Sequence, residues 1–277
     1  MTIELFSDNA QGFVDVSTAN VFHFPAGEAH INVNADAHEK PHYAYVRGAD
    51  ADDLVALGMA ADWAKQEGRE LTALMPYLPA ARADRGEPFG ARVYANIINA
   101  LGLGQVVAFD IHSPIMQGLV KRLTVLDTAE VLTRTVLNGN IDYAGIISPD
   151  EGSRERSGRI AKAAGLPLIK ASKHRDFNTG KLSGFSCEPL PDPNGRYLVV
   201  DDICDGGGTF RGLASVIGLE KEQLDLWVSH GVFSGKAGEL KQSYGQVFTT
   251  DSHPGCRNPE VDAEVVELLP FLMEAAN

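Results

Sequence analysis

Cysteine, positive charge and long apolar runs are all scarce in this sequence. Its 277 residues contain 3 cysteines, far apart at Cys187, Cys204 and Cys256, and this odd, scattered set argues against a disulfide framework or a zinc ribbon. Lys and Arg total 24 against 37 Asp and Glu, a net charge of −13, so we expect neither nucleic-acid binding nor adhesion to an anionic membrane. No apolar run reaches the roughly 18 residues of a membrane span. Glu4 and Asp8 stand where a signal peptide needs basic and apolar residues. These absences predict a cytoplasmic protein.

The sequence does contain an alternation of β-rich apolar runs with alanine-rich helical patterns. Such alternation is typical of repeated βα units and predicts an α/β fold, with mainly parallel sheets flanked by helices. At 277 residues we expect two domains, and an Asn-Gly-Asn turn at 138–140 marks their boundary. The predicted domains are therefore 1–139 and 140–277. The predicted strands span 44–47, 70–75, 105–109, 143–148, 167–170, 196–201 and 224–229, and the predicted helices span 50–66, 89–100, 153–164 and 209–217.

The most informative segment runs from Tyr197 to Thr209 and reads YLVVDDICDGGGT. An apolar strand ends in acids, three glycines follow, and a helix begins. Glycines let the backbone approach an oxyanion and a helix N-terminus supplies partial positive charge, so this turn is suited to cradle a phosphate. The carboxylates at the end of the strand suit either the paired hydroxyls of a ribose or the shell of a magnesium ion. The segment is not a P-loop, because no Gly-Lys-Ser/Thr follows, and Arg211 stands where a dinucleotide fingerprint needs its last glycine.

This segment resembles the phosphoribosyl-diphosphate loop shared by type I phosphoribosyltransferases and ribose-phosphate pyrophosphokinases, and further motifs distinguish the two. They are Met75–Arg85 (MPYLPAARADR), Phe109–Ser113 (FDIHS), Gln117-Gly118, Ser148–Gly152 (SPDEG) with Arg156, and His230–Ala237 (HGVFSGKA). Their order and spacing are similar to those of ribose-phosphate pyrophosphokinases over nearly the whole chain, whereas phosphoribosyltransferases lack the N-terminal half. The resemblance implies two similar phosphoribosyltransferase-like domains, with the ATP-side motifs in the first and the sugar-phosphate loop in the second.

Members of that family transfer the β,γ-diphosphoryl group of ATP to the anomeric hydroxyl of ribose 5-phosphate, need magnesium, and release AMP. The resemblance implies that this chain is such a diphosphotransferase of nucleotide biosynthesis. Lys173 and Arg175, in the polar segment 172–184 that we predict to be a lid loop, match the catalytic basic loop of the family. His112 is implied in catalysis and, together with Asp150, in binding Mg²⁺.

Four simpler interpretations stay open. The basic pair could be a solvated loop, and Asp150 could cap the next helix. His112 could be a satisfied interior histidine, and Arg82 and Arg85 could pair with nearby acids on a surface loop.

The resemblance also implies residues for both substrates. ATP would contact Arg82 and Asp84, in a second predicted loop at 80–88, and also Phe24 and Glu28, whose loop reaches the ATP bound on a neighbouring subunit. We therefore expect a homo-oligomer, either a dimer or a hexamer built from dimers. The residues implied in binding the ribose phosphate are Asp201, Asp202, Asp205, Gly206, Gly207, Gly208 and Thr209.

A few positions depart from the family pattern. Ala26 and Ala83 stand where polar residues approach the nucleotide, and Gly206 replaces a threonine beside the 5-phosphate. The loss of the threonine hydroxyl removes a hydrogen bond of about 1 kcal/mol, but the loss of the side chain also leaves space beside the 5-phosphate. A second hypothesis is therefore the same chemistry on a larger 5-phosphoribosyl compound such as ADP-ribose, which would feed NAD synthesis. A non-catalytic regulatory homologue, and a phosphoribosyltransferase that consumes phosphoribosyl diphosphate, are the remaining alternatives.

Overall fold

The chain forms two compact units. The structure is a computed structural model that describes residues 3–9, 12–32, 41–48, 50–66, 68–80, 82–175 and 182–277. The first unit comprises Met1–Leu126 and Leu268–Asn277, and the second comprises Asp127–Glu267. Each unit is built on one sheet with helices packed against it, which confirms the predicted α/β class. Within these described ranges, no helix has the length and apolar character needed to cross a membrane.

Strands and helices alternate along most of the chain, as the sequence predicts. The strands are β1 (Ile3–Asn9), β2 (Gly12–His23), β3 (Ala29–Asn32), β4 (Tyr43–Val46), β5 (Thr72–Met75), β6 (Gln105–Phe109), β7 (Leu123–Leu126), β8 (Tyr143–Ser148), β9 (Leu168–Arg175), β10 (Leu182–Cys187), β11 (Arg196–Cys204), β12 (Leu224–Gly231), β13 (Val247–Thr250) and β14 (Glu264–Val266). The helices are α1 (Ala51–Lys65), α2 (Gly90–Ala100), α3 (Ile115–Leu119), α4 (Thr128–Arg134), α5 (Arg154–Ala164), α6 (Gly208–Ile217) and α7 (Leu269–Ala276). The strands predicted at 105–109 and 143–148 match β6 and β8 end to end.

The sheet of the first unit has the strand order β3-β2-β1-β4-β5-β6-β7. Strands β4 to β7 pair in parallel, whereas β1 to β3 form an antiparallel extension that the sequence pattern did not predict. Helix α1 begins at a capping box, in which Asp50 and Asp53 each accept from the backbone N–H of the other. Its alanines Ala56, Ala60 and Ala64 are buried in the core that covers this sheet. Small side chains at this spacing let the helix lie close to the strands.

The sheet of the second unit has the strand order β10-β9-β8-β11-β12-β13-β14. Every pair is parallel except β9 with β10. All eight residues of β12 are buried, as expected for a central strand covered on both faces. The carboxyl ends of β8, β9, β11 and β12 therefore meet at one edge of the sheet, where α5 and α6 begin.

The division into units differs from the predicted boundary after residue 139. The second unit already begins at Asp127, and α4 packs there against α5. Helix α7 returns to the first unit, where it packs on β5, β6 and β7 with Leu272 and Met273 buried. Its C-terminal neighbour Asn277 accepts from the Tyr43 hydroxyl at 3.3 Å. The sequence pattern near residue 139 could not reveal that α7 belongs to the first unit, because the strands against which its apolar face packs are distant in the sequence.

The described residues of the segment predicted as a lid loop, 172–175 and 182–184, belong to two strands. Strand β9 continues to Arg175 and pairs antiparallel with β10, so that Lys173 lies opposite Phe185. Residues 176–181 lie outside the described residues. The segment is polar and shows no clear alternation, so its strands are specified by their pairing with each other. The loop predicted at 80–88 has no helix or strand among its described residues.

Candidate functional site

Charged side chains gather at the carboxyl edge of the second sheet, where ligands bind in parallel α/β sheets. Asp150 follows β8, Lys173 lies on β9, and Asp201 and Asp202 lie near the end of β11. The charges of Asp150 and Asp202 both act on Asp201. The structure therefore brings together four residues that the sequence assigned separately to metal, phosphate and sugar binding.

Lys173 and Asp150 form an ion pair, with side chains 27% and 14% exposed. The other carboxylate oxygen of Asp150 accepts from the backbone N–H of Ser153 at 3.1 Å, in the turn that leads into α5. Asp150 thus has a charged partner and a contact with Ser153, the N-cap residue of α5, but it does not itself cap the helix. Strand β9 ends at Arg175, and the side chain of Arg175 lies outside the part of the chain that the structure describes.

Asp201 and Asp202 share one arginine, Arg156, on the first turn of α5. Its Nη1 lies 3.9 Å from Asp201 Oδ1 and its Nη2 lies 3.3 Å from Asp202 Oδ2. Burial raises the pKa of Asp201 well above its usual range, and the negative charges of Asp202 and Asp150 raise it further, while Arg156 acts in the opposite direction. Because the pKa of Asp201 stays raised despite Arg156, the edge favours a ligand that donates hydrogen bonds or brings positive charge.

The glycine turn between β11 and α6 is filled on one side and open on the other. Gly207 has a φ of 71°, a left-handed conformation that favours glycine, and a Cβ there would lie 3.1 Å from Arg211 Nη1. A Cβ at Gly206 would meet only the carbonyl oxygen of Ser234, at 3.7 Å, and one at Gly208 would meet nothing within 4 Å. The first turn of a helix carries N–H groups without intrahelical partners, so the open side can receive an anion.

The loop that follows β12 holds the carbonyl groups of this glycine turn. The N–H of Phe233 donates to the carbonyl of Cys204 at 3.0 Å, and the N–H of Ser234 donates to the carbonyl of Asp205 at 3.1 Å. In a trans peptide the C=O and the next N–H point in opposite directions. The N–H groups of Asp205 and Gly206 therefore point away from the loop after β12, toward the side from which a ligand can approach.

In the first unit, Asp84 is tied to the loop that follows β6. Its carboxylate accepts from the Ser113 hydroxyl, which is the main reason that its pKa lies below the usual range. Arg85 Nε also donates to it at 3.3 Å. Ser113 is buried and directly follows His112, which is exposed, as is Arg82. Within this unit the structure thus joins the predicted ATP loop to the loop that carries His112.

The turn between β2 and β3 presents an aromatic surface. The N–H of Phe24 donates to the Glu28 carbonyl at 2.9 Å, and the N–H of Gly27 donates to the Phe24 carbonyl at 2.8 Å. The Phe24 ring packs edge-to-face on Phe22 and His30 and remains 46% exposed. An exposed ring held in this way can pack against a planar ligand ring.

Magnesium fits the oxygen donors of the second unit. Among the residues with a described placement, no group of three or more His, Cys, Asp or Glu side chains forms a ready metal cage. Mg²⁺ usually keeps several waters and takes only one or two carboxylates together with substrate phosphates, a role that Asp150 suits at 14% exposure. His112, the other predicted ligand, belongs to the first unit.

Sequence reasoning gave no site role to two arginines that the structure places at this edge. The sequence motifs include Arg156 without a role of its own. The signal that could have revealed its role is an arginine in the first turn of the helix that follows a strand-end acid. Arg211 entered only as a departure from the dinucleotide fingerprint. It lies four residues after Gly207, the spacing that brings side chains back over the preceding helical turn.

Known proteins are similar to this chain in sequence, and a solved structure shares its fold. The ribose-phosphate pyrophosphokinase of Mycoplasma genitalium is 31% identical over 272 residues, covering 91% of this chain and 80% of that protein. The protein of the same name from Mycoplasma pneumoniae is 30% identical over 239 residues, covering 80% and 72%. The crystal structure of phosphoribosylpyrophosphate synthetase from Mycobacterium smegmatis superposes with a TM-score of 0.73 at 22% identity, covering 94% of this chain and 89% of that one. No protein-family model matches the chain.

Proposed function

Because the chain belongs to the ribose-phosphate pyrophosphokinase family and is an enzyme of that type, we propose that it transfers the β,γ-diphosphoryl group of ATP to the anomeric hydroxyl of ribose 5-phosphate. A bond forms between the anomeric oxygen and the β-phosphorus, the bond from that phosphorus to the α-phosphate oxygen breaks, the hydroxyl proton is released, and AMP leaves. The observation that supports this proposal best is the presence of Lys173, Asp150 and Asp201 beside the glycine turn at one sheet edge.

This edge of the sheet offers binding groups for both ends of ribose 5-phosphate. The 5-phosphate would lie on the open side of the glycine turn, against the N-terminus of α6 and the Thr209 hydroxyl, with Asp205 beside it. The ribose hydroxyls would donate to Asp201 and Asp202, because burial and neighbouring negative charge disfavour the ionised form of Asp201. A neutral sugar that donates hydrogen bonds would thus stabilise the ionised form of these acids.

Lys173 would supply positive charge at the transferred phosphates. Negative charge builds on the bridging and leaving oxygens during phosphoryl transfer, so catalysis depends on positioning and on cations. The Lys173 ammonium is paired with Asp150, and it would contact the polyphosphate from this position, with Arg175 at the end of the same strand. Asp150 would hold a magnesium ion, which would supply positive charge to the polyphosphate when bound; His112, the other metal ligand that the resemblance implies, lies in the first unit. The β9–β10 pair would close over the substrates and limit hydrolysis of ATP.

ATP would be held by the first unit. Arg82 would contact the polyphosphate, and Asp84, fixed by Ser113, would position the loop that carries it. The exposed turn of Phe24 and Glu28 would complete the adenine site of a neighbouring subunit. This arrangement requires a homodimer or a hexamer of dimers.

The alternative acceptor, a larger 5-phosphoribosyl compound such as ADP-ribose, is favoured by the space at Gly206. A Cβ there would meet only one backbone oxygen, at 3.7 Å. The turn itself therefore does not demand glycine at this position, and the missing side chain leaves room beside the 5-phosphate. A phosphodiester has fewer free oxygens than a phosphomonoester, so it needs fewer donors there.

The test is mass detection of products after incubation with ATP and Mg²⁺, with ribose 5-phosphate and ADP-ribose as acceptors in parallel tubes. We expect AMP and phosphoribosyl diphosphate in the first tube. AMP with a diphosphorylated ADP-ribose in the second tube alone would establish the alternative acceptor. The absence of AMP from both tubes would reject the proposal and favour a regulatory homologue.

A further inference from the structure

We infer that Arg211 is a positioning residue that locks the glycine turn of the sugar-phosphate site, an inference that rests on the proposed function. Its Nη1 donates to the carbonyl of Gly206 at 2.6 Å and to the carbonyl of Lys236 at 3.0 Å. Its Nε lies 3.3 Å from a carboxylate oxygen of Glu239. One guanidinium thus ties the turn to the segment that follows β12.

The peptide between Gly206 and Gly207 is held on both sides. Its carbonyl accepts from Arg211, and its N–H, on the opposite side of the trans peptide, interacts with the Cys204 thiol. The carbonyls of Cys204 and Asp205 are already held by the loop after β12. Arg211 therefore completes a series of fixed carbonyl groups that runs through the turn.

Such a lock matters because the turn contains three consecutive glycines at 206–208. Glycine loses more conformational freedom on ordering than any other residue, and a flexible loop must be ordered when it binds its ligand. The Arg211 charge is directed at two carbonyls and at Glu239. Its contribution to phosphate binding is therefore to hold the backbone in place, so it should act on sugar-phosphate affinity more than on the chemical step.

The space at Gly206 offers a way to test this role. Threonine at position 206 has room for its Cβ, and its branched side chain restricts the backbone. A turn stiffened in this way should depend less on Arg211. The effects of Arg211→Met and Gly206→Thr should therefore be non-additive, with the double variant less impaired than the product of the two single effects.

The experiment compares the wild type with Arg211→Met, Arg211→Lys and a matched control, Lys236→Met. Lys236 also faces Glu239, and its side chain is 77% exposed, so the control removes a nearby charge without freeing a turn carbonyl. We expect Arg211→Met to raise KM for the sugar phosphate about tenfold, with kcat changed less than about threefold and KM for ATP unchanged. Lysine should restore part of the affinity, because one ammonium can still donate to a carbonyl.

Calorimetric titration with ribose 5-phosphate and with ADP-ribose, without ATP, should show the same weakening. An unchanged KM in Arg211→Met, an equal effect in Lys236→Met, or strictly multiplicative effects with Gly206→Thr would overturn the role. If Arg211→Met does not fold, as judged by Tm, Arg211→Lys and the double variant decide by the same criteria. Failure of the wild type to bind either sugar phosphate would reject the proposed function together with the inference, whereas turnover that is insensitive to Arg211 would reject the inference alone.

Discussion

Two acid–base clusters lie at opposite ends of the second sheet. At the amino end, which we call the closed end, one acid pairs with one arginine, whereas at the carboxyl end, which we call the open end, two acids share one arginine. At the closed end Asp225 is fully buried. One of its oxygens accepts from Arg196 Nε at 2.8 Å and from the Tyr143 hydroxyl at 2.7 Å. The other accepts from Arg196 Nη2 at 2.8 Å and from the backbone N–H of Gln246 at 2.9 Å. Each carboxylate oxygen thus has two donors, and the cluster has no need of a ligand.

The cluster at the carboxyl end also pairs Asp with Arg, but two acids share the arginine. Arg156 lies 3.3 Å from Asp202 and 3.9 Å from Asp201. Asp201 also accepts from the backbone N–H of Asp202, and Asp202 from that of Ile203, both at 2.9 Å. Even so, burial and the charges of Asp202 and Asp150 hold the pKa of Asp201 well above its usual range. A buried charge that is fully hydrogen-bonded mainly preserves the fold, because removing a partner leaves an uncompensated charge. A carboxyl group whose pKa is strongly raised by burial and by neighbouring acids is a candidate for ligand binding. The number of acids that share one arginine distinguishes the two ends.

The largest effect that this comparison predicts is on turnover at the open end. Lys173→Ala should lower kcat about a thousandfold, while KM for ATP and for the acceptor change less than about fivefold, because the ammonium acts on charge that develops in the transition state. Steady-state kinetics with both substrates varied would measure this. Lys170→Ala is the matched control, since Lys170 is an exposed lysine on the same strand. Equal losses in kcat and in affinity would contradict the transition-state role.

The closed end should respond in stability and not in activity. Asp225→Asn should lower the free energy of unfolding by about 3 kcal/mol, because Arg196 would lose its buried counter-ion, and urea denaturation would measure the loss. The folded fraction should keep its kcat/KM. Asp202→Asn is the counterpart at the open end, and it should change stability by less than about 1 kcal/mol while it weakens acceptor binding. A comparable stability loss in both variants would remove the distinction between the two ends.

The parts of the fold that could be predicted are those specified by neighbouring residues. Strands β6 and β8 and the turn from β11 into α6 follow from apolar runs, terminal acids and glycines that lie together in the sequence. The pair β9 and β10 could not be predicted in this way, because a polar strand containing Lys173 is stabilised by its pairing with residues near Phe185. The return of α7 to the first unit likewise depends on burial against distant strands.

The candidate site shows the same limit. The motifs predict that Asp150, Lys173 and Asp201 take part in one reaction, but only the fold shows that Lys173 pairs with Asp150. Arg156 received no role from the sequence, since its contact with both acids depends on how α5 lies against β11. A motif therefore predicts which side chains take part, whereas the partner that neutralises each one depends on the fold.

The smallest predicted effect is the pH dependence of stability that Asp201 gives to the open end. Burial and neighbouring charge raise the pKa of Asp201 in the folded chain, so the folded state binds this proton more tightly than the unfolded state, in which the pKa is about 3.9. Stability should therefore fall as pH rises from about 4 through the raised pKa of the folded state, and the ionised carboxylate should destabilise the ligand-free protein at neutral pH. Asp201→Asn should accordingly raise the free energy of unfolding by about 1 kcal/mol at pH 7.5 and flatten its pH dependence.

Urea denaturation between pH 5 and pH 8 without substrate would measure both effects, with Asp225→Asn as the reference for a closed cluster. An Asp201→Asn variant that is less stable than the wild type at pH 7.5 would mean that Arg156 already satisfies this carboxylate. The two ends of the sheet would then be equally closed, and the affinity of the carboxyl edge for a ribose would have to come from the glycine turn alone.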